Sequence, residues 1–278
     1  MTTHNLQHRF RIASFTTLVA ALTLPGVLRA AVYVSGFASV TRPSPPFFSL
    51  LTQDTGQLLG QTEAAAAVSF NGAGQLSSAT VRAEMGYLGV RVFAGSAGFT
   101  SGAVATGIAK FSDDLTITSD TLPFGTPVTL EFSMNLNGTT VFDTFNPFPS
   151  ATGLDSSIFL IGQVAGVSRV YHELHRFGRA VQVTGNTMFT VNSTVGATLT
   201  LIGTLDINVR SDFQALANSG LSDYLDSARF FATPDDPEVS IVSASGHDYS
   251  IPEPEHCALG FGGALALFAL WRRRVSSP

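Results

Sequence analysis

The chain has 278 residues, of which 45% are hydrophobic and only 13% charged, and its formal charge is −5. Its interior holds a single lysine, Lys110, and no basic patch or aromatic-plus-arginine stripe, which argues against nucleic acid as a partner. The only cysteine, Cys257, lies near the C-terminus, so the body has no disulfide framework and no Cys-ligated zinc or iron–sulfur site.

Residues 1–11 are polar, with Arg9 and Arg11 and no acid. Ile12 to Leu24 is a mostly apolar run of thirteen residues, Pro25-Gly26 breaks any helix, and Leu28-Arg29-Ala30-Ala31 offers the small residues that a peptidase accepts. This is the order of a secretory signal. A helix of that length is too short to span a bilayer and has no polar face for a surface position. The expectation is a signal peptide over 1–30, cut by signal peptidase after Ala30 or Ala31. The body that remains, 31–251, has nine basic and eighteen acidic residues, a balance near −9.

Along the body, Pro43 to Phe48 reads as a Pro-rich exposed loop. Gln61 to Ala67 has alanines enough for a helix but runs into Val68-Ser69-Phe70, and strand is favoured. Period-two alternation marks Ala79–Ala83, Val128–Met134, Thr198–Ile202, Leu205–Val209, Ala228–Phe231 and Val239–Val242 as strands. Asn71-Gly72, Asn137-Gly138 and Gly185-Asn186 read as hairpin turns between them. Asp212 to Asn218 has the makings of a short helix, capped by Ser211 and ended at Gly220. No tandem repeat is evident. Short strands with regular punctuation predict one all-β antiparallel sandwich, since βαβ units would need helical patterns between the strands.

Several groups of residues suggest chemistry. Tyr171-His172-Glu173-Leu174-His175 has the residue types of a zinc-protease motif but spaces its histidines i, i+3 instead of i, i+4, and on a strand His172 and His175 point to opposite faces. Asp113-Asp114 and Asp235-Asp236-Pro237-Glu238 offer oxygen ligands of the kind calcium takes, without the spaced acids and glycine of an EF-hand loop. Acidic turns explain both, so no metal site and no cofactor is expected; a structural calcium ion is the alternative. Ser245, His247 and Asp248 contain triad types, but neighbours in sequence rarely form a triad's geometry. Phe142, Phe145 and Phe148, set around Asn146-Pro147 and Pro149, form the one candidate exposed aromatic patch for ligand binding.

The C-terminal stretch is the most specific. Pro252-Glu253-Pro254 is exposed and non-helical, because each proline fixes φ and pushes the residue before it toward extended conformations. Fifteen uncharged residues follow, Cys257 to Trp271, about 22 Å long as a helix and short of the hydrocarbon core. Trp271 sits where an interfacial aromatic belongs, and Arg272, Arg273 and Arg274 hold that end in the cytoplasm.

These residues resemble the PEP-CTERM sorting signal of Gram-negative bacteria over 252–274. The resemblance implies transient membrane insertion through the hydrophobic helix, removal of the tail by an exosortase, and delivery to the cell surface or the extracellular polysaccharide matrix. Glu255-His256-Cys257 stand where the family usually has small residues. Phe111–Ile117, Asp226–Phe230 and Val242–Gly246 are similar to the bodies of such proteins and imply a jelly-roll-like sandwich whose last strands sit just before the tail. Three readings follow: a non-enzymatic surface or matrix protein, with exopolysaccharide as a partner; a carbohydrate-binding module; and a glycoside hydrolase-like enzyme. An aromatic row on a sheet face favours the second. Facing carboxylates, or His172 or His175 beside a carboxylate in a cleft, favour the third.

Overall fold

The computed structural model describes residues 32–44, 47–59, 63–72, 75–97, 102–144, 154–176, 180–211 and 217–250. Among them the regular structure is all β and antiparallel, in thirteen strands. These are β1 (Tyr33–Ser44), β2 (Phe47–Leu59), β3 (Glu63–Gly72), β4 (Gln75–Glu84), β5 (Tyr87–Ala97), β6 (Ala103–Thr118) and β7 (Pro127–Thr144). Then come β8 (Leu154–Val164), β9 (Val167–Arg176), β10 (Val181–Thr194), β11 (Thr198–Ser211), β12 (Ala217–Pro234) and β13 (Ser240–Ser243).

Two sheets result. One runs β2-β1-β6-β11-β8-β9, with β13 pairing the far end of β6; the other runs β10-β7-β12-β5-β4-β3. They pack face to face: β1 lies over β3 and β4, β6 over β4 and β5, β11 over β5 and β12, β8 over β12 and β7, and β9 over β10. Within them β5–β8 pair in reverse order with β9–β12: β5 with β12, β6 with β11, β7 with β10, β8 with β9. The chain is thus a long ribbon doubled over at the β8–β9 hairpin and wrapped so that successive strands alternate between layers. β1–β4 widen both sheets at the opposite edge.

Alternation drives this arrangement. On β11, Leu201, Leu205, Ile207 and Val209 face inward and are buried, while Thr204, Asp206 and Asn208 between them face out. At the β1–β4 end the interior is lined by Ala64, Ala66, Ala79, Ala83 and Ala105, whose small side chains let the layers approach closely. At the other end Phe132, Leu136, Phe189, Ile158, Leu160 and Phe230 fill it. Each of these large side chains, fully buried, contributes roughly 1.5–3 kcal/mol.

The strand readings at 79–83, 128–134, 198–202, 205–209 and 228–231 are found in β4, β7, β11, β11 and β12, and Gln61–Ala67 leads into β3. Val239 precedes β13, which spans Ser240–Ser243. Asn71-Gly72 closes the last pairs of the β3–β4 hairpin.

Two turn expectations are overturned. Asn137-Gly138 lies inside β7 and Gly185-Asn186 inside β10, and the two dipeptides face each other across one ladder, with Thr184 opposite Asn137 and Gly185 opposite Leu136. Their glycines serve close approach. A Cβ on Gly138 would come within 2.2 Å of the Tyr224 ring, and one on Gly185 within 2.7 Å of the Tyr171 ring. The Pro43–Phe48 loop is also overturned over its described residues: Pro43 and Ser44 belong to β1 and Phe47 and Phe48 to β2, with Ser44 paired to Phe47. Residues 212–216 of the expected helix lie outside the described residues, while Ala217 and Asn218 belong to β12. That strand carries a bulge between Tyr224 and Ala228.

Candidate functional site

Three places concentrate polar or aromatic side chains in ways the alternation alone does not require. The first is the junction with the tail. After β13 the chain turns back, with the Ala244 amide donating to the Asp114 carbonyl (2.8 Å) and the Ala232 amide to the Tyr249 carbonyl (3.0 Å). Asp113, on the inward face of β6 and fully buried, anchors this return. Its carboxylate accepts from the Ser245 amide (3.1 Å), the Ser245 hydroxyl and the Tyr249 hydroxyl (3.0 Å). The Tyr249 ring stacks 6.3 Å from Phe111 and meets His247 edge-on at 4.5 Å. Burial and the Asp113 charge push the Tyr249 phenol far up from its ordinary range. Asp248 accepts from the Ser250 amide (2.8 Å) and hydroxyl (2.6 Å), which lowers its own carboxyl. A cleft of about 490 Å³ opens beside this return, lined by Ala232, Pro234, Ile241, Ser243, His247 and Ser250 among others. Ser245, His247 and Asp248 are each engaged elsewhere and do not assemble into a triad.

The second place is the mouth between the edge strands β9 and β10. Tyr171, Glu173 and His175 alternate on the inward face of β9, across from Leu160, Ile158 and Ser156 of β8. Tyr171 donates to Glu173; burial first, then that bond and the Glu173 charge, push its phenol up to about 12. His175 Nε2 sits 3.2 Å from Glu173 Oε1 without an aligned hydrogen bond. Behind them runs a buried chain of hydroxyls: Ser156 to Ser222 (2.7 Å), Ser222 to Thr140 (3.1 Å), Thr140 to Tyr224 (3.2 Å). His175 therefore does stand beside a carboxylate, one feature of the hydrolase reading. Around it the Tyr171 ring packs onto Gly185 of β10, and Ser156 is fully buried on Ser222.

The third is the outward face of the β2-β1-β6-β11-β8-β9 sheet. Register places Phe37 beside Ile108, Ile108 beside Asp206, Asp206 beside Phe159 and Phe159 beside His172. Directly paired residues share a face, so these five form one row across five strands. His172 is exposed and the other four half-buried. Phe159 and His172 stack at 4.1 Å and 7°, leaving the far face of each ring uncovered by the other. Among the described residues none donates a hydrogen bond to Asp206, and burial alone lifts its carboxyl to about 6. In the flanking rows Lys110 lies against the Tyr33 ring at 5.6 Å, and Asn208 donates to Thr106 (2.7 Å).

The residues singled out from sequence fare differently. Ala30, Ala31, Phe145, Phe148, Pro252, Glu253, Pro254, Trp271, Arg272, Arg273 and Arg274 lie outside the described residues. Phe142 belongs to β7, not to a loop, and is only 6% exposed against Gly220 of β12, so it is no part of an exposed patch. His172 and His175 do point to opposite faces. Asp113 and Asp114 sit within β6 instead of in a turn and likewise diverge, Asp114 accepting from the Thr200 hydroxyl (2.8 Å). Asp235 accepts from the Thr129 amide, Asp236 from the Glu238 amide and Glu238 from the Thr121 hydroxyl, so these acids tie down their own turn. No group of His, Cys, Asp and Glu among the described residues has the arrangement of a metal site. Nor is any helix there long and apolar enough to cross a membrane. Asp206 escaped the sequence reading: its outward position was readable from the alternation of β11, its aromatic neighbours only from register. No protein-family model matches the chain, and no curated protein or solved structure matches it either.

Proposed function

We propose that this is an exported, non-enzymatic protein with a structural or interaction role, sorted by an exosortase-type system to the cell surface or extracellular polysaccharide matrix of a Gram-negative bacterium. In this reading residues 1–30 are the secretory signal, 31–251 the body and 252–274 the sorting signal with its membrane helix and arginines. The observation that carries it is the junction. Asp113 secures Ser245 and Tyr249, the clasped segment ends at Ser250, and Pro252-Glu253-Pro254 begins two residues later. A body that closes on itself immediately before the motif suits a tail that is cut away without loss of fold. The doubled-over pairing of β5–β8 with β9–β12 supports the finer reading of the body as a jelly roll, an architecture that recurs in lectin and capsid domains. Fractionation of the native host tests the sorting claim. A Pro252→Ala/Glu253→Ala variant should shift from surface to inner membrane, and an unchanged distribution would remove the exosortase from the account.

A second reading, a carbohydrate-binding module, is favoured by the row from Phe37 to His172, since rings and a carboxylate along one sheet face are what a hydroxyl-rich chain with apolar C–H faces can use.

A further inference from the structure

Resting on that carbohydrate-binding reading, we propose that the outward row Phe37–Ile108–Asp206–Phe159–His172 is the binding site for an uncharged polysaccharide lying across the strands, with Asp206 accepting its hydroxyls.

Three features argue for this occupant. Neighbouring strands are about 4.8 Å apart, so Phe37 and Phe159, three strands distant, stand roughly 14 Å apart with Ile108 and Asp206 between them. The row is therefore longer than one sugar ring and suits a chain, not a monosaccharide. Next, Asp206 is an acceptor whose two directly paired neighbours, Ile108 and Phe159, are apolar and to which no described residue donates. A half-buried carboxylate without a donor gains from any ligand that brings hydroxyl groups to it. Finally, charge selects among saccharides. Asp206 and a body near −9 repel a uronate- or sulfate-bearing chain. An uncharged chain meets no such penalty, and the apolar rings offer surfaces for its C–H faces.

On the same outward face, Lys110 of β6 lies in the neighbouring row and His172 of β9 at the end of this one, while Asp155 and Arg210 pair with each other four positions further along. The site works best with Asp206 ionised, so binding should strengthen as pH rises from 5 to 7.

The test is affinity electrophoresis of the purified full chain in gels containing hydroxyethylcellulose, dextran or alginate, followed by calorimetry on whichever neutral glycan retards it. Retardation by a neutral glycan and not by alginate is expected. Phe37→Ala and Phe159→Ala should each weaken binding about three- to tenfold, and Asp206→Ala at least as much. His172→Ala, at an exposed position on the edge strand, should also weaken it, so a variant among the half-buried positions that fails to fold does not decide the matter. Neutral-glycan binding that ignores all four substitutions would overturn this site while leaving the carbohydrate-binding reading standing. Equal or tighter binding to alginate would overturn the charge argument. No retardation by any neutral glycan would overturn the site and that reading together, without touching the sorting proposal.

Discussion

Tyr249 and Asp113 lie 136 positions apart and meet inside the sandwich, phenol to carboxylate, at 3.0 Å. The contact joins the end of the body to its central strand β6, and the Ser245 amide and hydroxyl complete it. A fully buried carboxylate is stable only with such donors, so the pairing is as much a requirement of Asp113 as a support for the chain end.

Asp113→Ala should therefore cost about 2–4 kcal/mol, because it strands two hydroxyls and an amide without their acceptor. Tyr249→Phe should cost about 1 kcal/mol through one lost bond. Urea unfolding measures both. Limited proteolysis should also show Asp113→Ala cut within 244–250 under conditions where the parent protein resists. Equal resistance would mean that the return is held by its backbone bonds alone.

The hydroxyl chain behind the β9–β10 mouth predicts a non-additive pair. Ser222→Ala alone leaves Ser156, fully buried, without its 2.7 Å partner and should cost about 1–3 kcal/mol. Ser156→Ala/Ser222→Ala together should cost less than the sum of the single changes, because both partners vanish at once. A double-mutant cycle on denaturation free energies reads the coupling directly, and strict additivity would contradict the bonded pair.

The two mid-strand glycines give a steric prediction. Gly138→Ala meets both the Tyr224 ring and the Asp223 carbonyl, at 2.2 and 2.7 Å, and should destabilise by about 1–3 kcal/mol or more. Gly185→Ala meets the Tyr171 ring first, at 2.7 Å, so its cost should shrink when Tyr171 is trimmed to Ala. Thermal melts of the two single variants and the Gly185→Ala/Tyr171→Ala double variant test this, and an undiminished cost in the double would remove the close-approach explanation.

Asp206 predicts a pH dependence of stability. Its folded carboxyl, at about 6, binds its proton more tightly than the ordinary carboxyl of the unfolded chain. From about pH 4 to 6 the unfolded state has lost that proton and the folded state still holds it, so stability falls as pH rises, by up to about 3 kcal/mol. Asp206→Asn should abolish this component and stabilise the protein at pH 7. The difference between parent and variant, not the parent slope, is the quantity to measure.

Much of the architecture was legible in the sequence and the lateral arrangement was not. Val128–Met134 and Leu205–Val209 alternate cleanly, so strand identity and inward faces followed from period two. Gly138 and Gly185 misled because a glycine at a turn and a glycine beneath an aromatic ring look alike along the chain; only Tyr224 and Tyr171, brought in from other strands, distinguish them. Phe142 misled for a related reason. It stands near Asn146-Pro147 in sequence, yet β7 continues past Gly138 and carries it into the interior against Gly220. Asp206 and Phe159 are adjacent through register alone, and their separation of 47 positions left no local signal. Asp113 read as a turn acid because its donors, Ser245 and Tyr249, arrive from the far end of the chain.

In the proposed function a self-contained β body is exported and released from its tail. The most direct measurement is the intact mass of the protein recovered from the surface and medium of its native host. The expected mass lacks about thirty N-terminal residues and everything beyond the Pro252-Glu253-Pro254 region. A mass that retains Arg272, Arg273 and Arg274, found in the membrane fraction, would contradict it and make the hydrophobic segment a plain anchor.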